Sequence, residues 1–293
     1  MLLAAGANSP QQPLCPDVTA WALKRTYSFR GQAVRYDVLG DGSPIVLAHG
    51  TPFSSYIWHR IAPYLAERHQ VFLFDLLGYG QSEKRDGQDV SLGVQNEVLT
   101  ELLAHWQLDR PDVVGHDFGG TSALRAHLLN GRDFHSLTLI DPVVLSPWDT
   151  GFDQHVRQHE SAFRDVPAEI HQAILSAYVR VAFARAPSDD ELAPYLQPWQ
   201  GVDGQRAFYR QIVQYDERYT DEVQSRLAEI RCPTLVLWGE EDRWLPIEQG
   251  RRLSSLIPSA KFKSFPGSGH LMPIDAPEAV ISGVDGFLDG IAP

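Results

Sequence analysis

Gly115-His116-Asp117-Phe118-Gly119-Gly120 follows the apolar run Val113-Val114 and leads into a helix-like stretch, Thr121 to Leu129. The string reads as a tight turn from strand to helix, a Gly-x-nucleophile-x-Gly elbow with aspartate at its tip where serine is usual. Such a turn strains its central residue and pushes that side chain clear of the sheet. The flanking glycines are there because a Cβ would strike the neighbouring strand or helix. The first N–H groups of the helix favour an anion at the tip, which suits a carboxylate. Alone, Gly-x-Asp-x-Gly is also an ordinary turn sequence. Its place between a buried strand and a helix gives it weight.

Outward from the elbow the chain keeps one rhythm. Ile45-Val46-Leu47-Ala48, Val71-Phe72-Leu73-Phe74, Leu137-Thr138-Leu139-Ile140 and Leu235-Val236-Leu237-Trp238 are short, mostly unbroken apolar runs. Strands buried on both faces of a parallel sheet read this way. Helical stretches near 55–68, 92–107, 119–130, 247–256 and 277–290 separate or follow them, which predicts a doubly wound α/β fold. Before the first run, Tyr27 to Phe29 and Val34 to Val38 alternate around Arg30-Gly31-Gln32, the pattern of an antiparallel hairpin. Residues 1–20, with Pro10, Pro13 and Pro16, read as an irregular leader.

One interval breaks the rhythm. From 143 to 222 no strong strand pattern occurs, but amphipathic stretches do, most clearly Ala168 to Ala184 and Gly204 to Tyr215. A segment this long between two sheet strands is no simple crossover. We expect a helical cap over the carboxyl edge of the sheet, with the core divided between 21–142 and 223–293.

The bulk properties narrow the class. A chain of 293 residues with 43% hydrophobic content suits one α/β domain with an insertion. A net charge of −12 speaks against nucleic acid and anionic membranes as partners. Cys15 and Cys232 fit no metal or redox spacing, and reduced thiols in a cytoplasmic enzyme are expected. No stretch reads as a signal peptide or a membrane span.

α/β enzymes place their chemistry at the carboxyl ends of strands. His49-Gly50-Thr51-Pro52 follows one such strand, the Asp117 elbow a second, and Gly239-Glu240-Glu241-Asp242-Arg243-Trp244 a third. Phe265-Pro266-Gly267-Ser268-Gly269-His270 then sets a histidine in a Gly-rich loop after a last candidate strand, Lys261 to Phe265. The order nucleophile, acid, histidine is that of α/β-hydrolases. With Asp75-Leu76-Leu77-Gly78-Tyr79-Gly80-Gln81-Ser82 in its place as well, the chain resembles the α/β-hydrolase superfamily over nearly its whole length. The aspartate at the elbow makes it most similar to the epoxide hydrolase and haloalkane dehalogenase branch. No Gly-x-Ser-x-Gly occurs.

The resemblance implies a division of labour. A carboxylate attacks an sp³ carbon without a base to activate it, giving an ester on Asp117. His270 would take a proton from the water that hydrolyses that ester, and Asp242 would fix the imidazole. The backbone N–H groups of Thr51 and Phe118 would hold the oxyanion. Asp242 competes for its role with Glu240, Glu241 and Asp141; His49 and Asp75 are read as turn-shaping. His155 and His159 lack the intervening Glu of a zinc-hydrolase helix, and Gly78-x-Gly80 lacks the third glycine of a dinucleotide fingerprint. No metal and no cofactor is expected.

The leaving group is decided elsewhere. Haloalkane dehalogenases usually carry tryptophan after the nucleophile and often asparagine after His-Gly; here those places hold Phe118 and Thr51. Phenylalanine has no donor. Fluoroacetate dehalogenases place arginines after the nucleophile, for which Arg125 is a poor substitute. An epoxide needs a proton donor, supplied in that family by cap tyrosines. The segment Ala207-Phe208-Tyr209-Arg210 resembles the aromatic-Tyr-Arg segment that carries one such tyrosine, which makes Tyr209 the first candidate; Tyr178, or in its place Tyr215, is the partner, and Tyr215, Trp148 and Trp244 are assigned to substrate binding. Trp148, Trp199 and Trp244 keep a halide site in play. The expected substrate is a small apolar molecule, with epoxide hydrolysis first and dehalogenation of a haloalkane or haloacid second. A hydrolase-fold binding protein without turnover is the third reading.

Overall fold

A computed structural model describes residues 21–291. The expected leader, 1–20, lies outside the described residues, as does Cys15. Arg25–Phe29 (β1) and Gln32–Leu39 (β2) form the hairpin, paired antiparallel from Arg25↔Tyr36 to Phe29↔Gln32. Ser43–Ala48 (β3) and His69–Phe74 (β4) are the first parallel pair, with Ala62–Leu65 (α1) between them. The helix expected near 55–68 is thus only a 3₁₀ turn, Ser55–Trp58, and one short helical turn. Pro63 fits at the start of α1, where its missing N–H has no helical partner to lose.

Leu92–His105 (α2) then precedes Asp112–His116 (β5), Phe118–Leu128 (α3) and Ser136–Ile140 (β6). Six helices follow before the sheet resumes: Gly151–Gln158 (α4), Glu160–Arg164 (α5), Ala168–Arg180 (α6), Asp189–Leu196 (α7), Gly201–Val213 (α8) and Arg218–Gln224 (α9). Reciprocal capping boxes set two of these starts: Thr150 with Asp153 for α4, and Ser188 with Glu191 for α7. Thr234–Gly239 (β7), Ile247–Leu256 (α10), Ala260–Phe265 (β8), Met272–Asp275 (α11) and Pro277–Leu288 (α12) complete the chain.

The eight strands form one sheet in the order β1-β2-β4-β3-β5-β6-β7-β8. From β4 to β8 every pairing is parallel; only β2 runs against its neighbours. Ile45, Val46, Leu47, Val113, Leu137, Leu139, Val236 and Leu237 are fully buried, as strands covered on both faces must be. This is the α/β-hydrolase fold. Its consequence for function is positional: β3, β5, β6, β7 and β8 end on one edge, and the loops after four of them converge there. No helix among the described residues is long and apolar enough to cross a membrane.

Candidate active site

Asp117 occupies the elbow with φ +51° and ψ −120°, outside the regions an L-residue ordinarily visits. The surrounding packing enforces that strain. A Cβ at Gly119 would stand 2.2 Å from the Ala48 carbonyl oxygen, and one at Gly115 would stand 2.6 Å from Gly120 Cα. Helix α3 therefore packs directly on the sheet, and the Asp117 side chain has one direction left, out over the edge.

Two oxygens of that carboxylate meet different partners. Oδ1 accepts the Thr51 N–H at 2.7 Å. Oδ2 lies 3.4 Å from His270 Nε2, a close charged contact, with Nε2 making no well-aligned hydrogen bond. On the far side of the ring, His270 Nδ1 is 2.8 Å from Asp242 Oδ2. Asp242 Oδ1 in turn accepts the N–H groups of Trp244 and Leu245 at 2.8 and 2.9 Å, which fixes the carboxylate. His270 is fully buried. Burial opposes its charge, but the carboxylates of Asp242 and Asp117 outweigh that and hold its pKa well above the usual imidazole range.

None of the rival acids is hydrogen-bonded to His270. Glu240 accepts the Ser264 hydroxyl at 2.7 Å, and Glu241 accepts the Ser268 N–H at 3.0 Å. Asp141 accepts the Gly239 N–H at 2.8 Å. Complete burial, reinforced by the nearby Asp242 charge, pushes the Asp141 carboxyl well above its ordinary pKa. His49 donates to the Gly50 carbonyl and accepts the Leu76 N–H, while Asp75 accepts the N–H groups of Ser55 and Gln81. Both shape their turns. His155 and His159 pack ring against ring at 4.8 Å, and no group of three or more His, Cys, Asp or Glu among the described residues is arranged to hold a metal.

A cavity of about 30 Å³ opens at Asp117 and His270. Thr51, Phe118, Trp148, Tyr178, Tyr215 and Trp244 line it, as do Val143, Thr150, Asp153 and Leu245. Aromatic contacts knit the wall: Phe118 lies edge-on to Tyr215 at 5.1 Å, and Trp244 lies 4.7 Å from the His270 ring. Tyr215 hydroxyl is 2.9 Å from Thr51 Oγ1, and Tyr178 donates to Asp153 Oδ1 at 3.2 Å. Desolvation holds both phenols well above their ordinary pKa.

Tyr209 is the residue the structure does not bring to the site. Its hydroxyl meets His171 Nδ1 at 3.1 Å, and its ring packs against Phe163, Phe208 and His171. Burial alone pushes its pKa up to about 12. The tyrosine of this stretch that reaches Asp117's cavity is Tyr215, just beyond α8. Arg125 also lies elsewhere, bonded to Asn96, the Tyr219 carbonyl and Glu222. Sequence reasoning missed Asp153, whose Thr-x-x-Asp setting reads simply as a helix start, and Gln211, which accepts the Thr51 hydroxyl at 2.8 Å.

The profile of the alpha/beta hydrolase fold family matches residues 43–277. The chain belongs to that family. A solved alpha/beta hydrolase fold protein from Burkholderia ambifaria is 48% identical, covering 89% of this chain and 97% of its own, with a TM-score of 0.87. A 2-hydroxy-6-oxo-2,4-heptadienoate hydrolase of Pseudomonas putida is 28% identical over 85% of this chain and 90% of that protein. The solved epoxide hydrolase CorEH superposes with a TM-score of 0.73 over 92% of this chain and 99% of its own; at 21% identity that likeness concerns the fold. The alpha/beta hydrolase chain is therefore a hydrolase whose substrate must be argued from its own side chains.

Proposed function

We propose that this hydrolase opens an epoxide to a vicinal diol through a covalent ester on Asp117. The observation that carries the reading is the pair of phenol hydroxyls, Tyr178 and Tyr215, in the same cavity as Asp117 and His270. An epoxide oxygen leaves as an alkoxide unless it is given a proton, and a phenol is a fit donor. A halide instead needs N–H donors. Phe118 has none, the Trp148 indole donates to Thr220 at 3.0 Å, and the Trp199 indole donates to the Pro52 carbonyl at 2.7 Å.

In this scheme Oδ2 of Asp117 attacks a ring carbon, the C–O bond breaks, and Tyr178 or Tyr215 protonates the oxygen. Oδ1 becomes the ester carbonyl, already facing the Thr51 N–H, with Phe118 N–H as the second donor. Alkylation removes the Asp117 charge, so His270 loses one of the two carboxylates that raise its pKa, gives up its proton more readily and is available as the neutral base. Water then attacks the ester, His270 takes its proton, and Asp242 steadies the imidazolium. No cofactor takes part.

Residues 143–222 act in this reading as a cap that shuts the site from water, and 21–142 with 223–293 as the catalytic core. The cavity, about 30 Å³, is tight and walled largely by aromatic side chains. Small apolar epoxides are therefore the favoured class, and admitting them requires Tyr178, Tyr215 or Trp244 to shift. Dehalogenation is the second reading, supported by Trp244, whose indole stands at the same cavity beside His270.

The test is His270→Gln exposed to epoxides and bromoalkanes, followed by peptide mass spectrometry. A whole-epoxide mass gain on Asp117 supports the first reading. An alkyl gain without halogen overturns it in favour of the second. No adduct with either, together with unchanged ligand binding in Asp117→Ala, points to a binding protein.

A further inference from the structure

Asp153 is buried at the cavity wall, yet helix capping accounts for only half of its carboxyl group. Oδ2 accepts both the Thr150 N–H, at 3.1 Å, and the Thr150 hydroxyl, at 2.5 Å. Oδ1 is left to the Tyr178 hydroxyl alone. That hydroxyl has one proton. While it is given to an ionised Asp153 it is unavailable to an epoxide. Resting on the epoxide reading above, we infer that Asp153 is a positioning residue that supplies Tyr178 with its catalytic proton: protonated on Oδ1 it donates to the phenol oxygen and frees the phenol O–H for substrate.

The surroundings make a proton there easier to hold than on an exposed carboxylate. Burial raises the Asp153 carboxyl above its ordinary pKa, partly offset by the Thr150 and Tyr178 hydrogen bonds and by Arg157 one turn along α4. Arg157 is shared: it pairs with Asp149 and donates to the Tyr215 carbonyl at 2.7 Å. Asp149 and, from beyond α8, Glu217 add negative charge to the same corner. Tyr178 of α6 and Tyr215 complete the groups that face it.

The protons balance over the cycle. In alkylation the Asp117–carbon bond forms and the ring C–O bond breaks. The oxygen takes the Tyr178 proton, and Asp153 returns one to the phenolate. In hydrolysis one water proton passes through His270 to the leaving diol oxygen, and the other is released as Asp117 regains its carboxylate. That second proton restores Asp153.

Asparagine mimics the protonated acid: its carbonyl takes the Oδ2 place under Thr150, and its NH₂ faces Tyr178 as a permanent donor. The experiment measures the rate of Asp117 alkylation by a small epoxide against pH, in His270→Gln, where hydrolysis is stalled and His270 no longer titrates. The rate is expected to fall by about tenfold or more as pH is raised beyond the ordinary carboxylate range and Asp153 ionises. Adding Asp153→Asn should flatten that fall, and adding Tyr178→Phe should lower the rate and flatten it too. A fall that persists unchanged in either double variant overturns the assignment to Asp153 while leaving the epoxide reading intact. No adduct at any pH overturns the epoxide reading itself. If the asparagine variant does not fold, the phenylalanine variant carries the test.

Discussion

Asp117 and Thr51 are joined by a 2.7 Å hydrogen bond from the Thr51 N–H to Oδ1, so the two carboxylate oxygens are not equivalent before any substrate arrives. In the proposed mechanism Oδ1 is committed to the position where an oxyanion is to be held, and Oδ2 is the attacking oxygen. In single turnover in H₂¹⁸O, with enzyme in excess, the diol should therefore carry no ¹⁸O and the Asp117 peptide should gain it. Label in the diol on the first turnover would mean that water attacks the substrate directly, and the covalent scheme would be abandoned.

Asp242 holds His270 through Nδ1 at 2.8 Å, and the backbone N–H groups of Trp244 and Leu245 hold Asp242. Asp242→Asn should keep the shape while losing the charge that supports the imidazolium. Ester hydrolysis should slow by roughly 10³–10⁴-fold, by analogy with the same change in serine proteases. Alkylation should be affected far less, because Asp117 needs no base. Rapid-quench kinetics with mass spectrometry would then show the ester accumulating. Equal slowing of both steps would mean that Asp242 acts on the shape of the site and not on the base.

The tyrosines mark where sequence reasoning reached its limit. The sheet, its order of motifs and the positions of Asp117, Asp242 and His270 were legible because buried parallel strands are apolar runs and each motif sits at a strand end. Tyr209 and Tyr215 share one amphipathic stretch, and no property of the residues themselves separates them. Tyr209 lies inside α8 and Tyr215 two residues past its end, so the two rings meet different neighbours. Packing against His171 and Phe163 keeps Tyr209 from the site. Asp153 was hidden for a different reason: a capping box explains its presence fully until the other oxygen is seen. Tyr215→Phe should therefore cut epoxide turnover by about 10²–10³-fold, the loss typical of a single transition-state donor. Tyr209→Phe should change kcat/KM less than about threefold. The reverse ranking would restore Tyr209 as the donor.

His116 stands beside Asp117 in the chain and is neutral at ordinary pH. Its Nε2–H donates to the His270 carbonyl at 2.9 Å, and complete burial, aided by the His270 charge, drives its pKa down from 6.5 to about 3. Between those values the unfolded chain takes a proton that the folded chain refuses. Its contribution to stability is therefore complete above pH 6.5 and is lost as pH falls toward 3. His116→Gln keeps a donor but does not titrate. Urea denaturation from about pH 7 to about pH 4 should show the parent losing on the order of 1–3 kcal/mol more than the variant. Parallel pH profiles would show that His116 does not govern acid sensitivity.

Gly50 lets the site's geometry be tested without touching a reacting group. A Cβ there would stand 2.3 Å from Asp117 Oδ1 and 2.7 Å from its carboxyl carbon, far inside contact distance. The methyl group of Gly50→Ala cannot be absorbed by a flexible chain end, because Asp117 is pinned by its strained elbow and by Thr51. The carboxylate must swing away or the Thr51 loop must lift. Either movement separates Oδ1 from its donor, and displacements of about 1 Å typically cost ~10²-fold in rate. The alkylation rate in Gly50→Ala/His270→Gln should fall by that order, while the thermal midpoint should drop by only a few degrees, the overpacking of about 1–3 kcal/mol being confined to one loop. Alkylation at the His270→Gln rate would show that the Asp117–Thr51 contact is dispensable for attack.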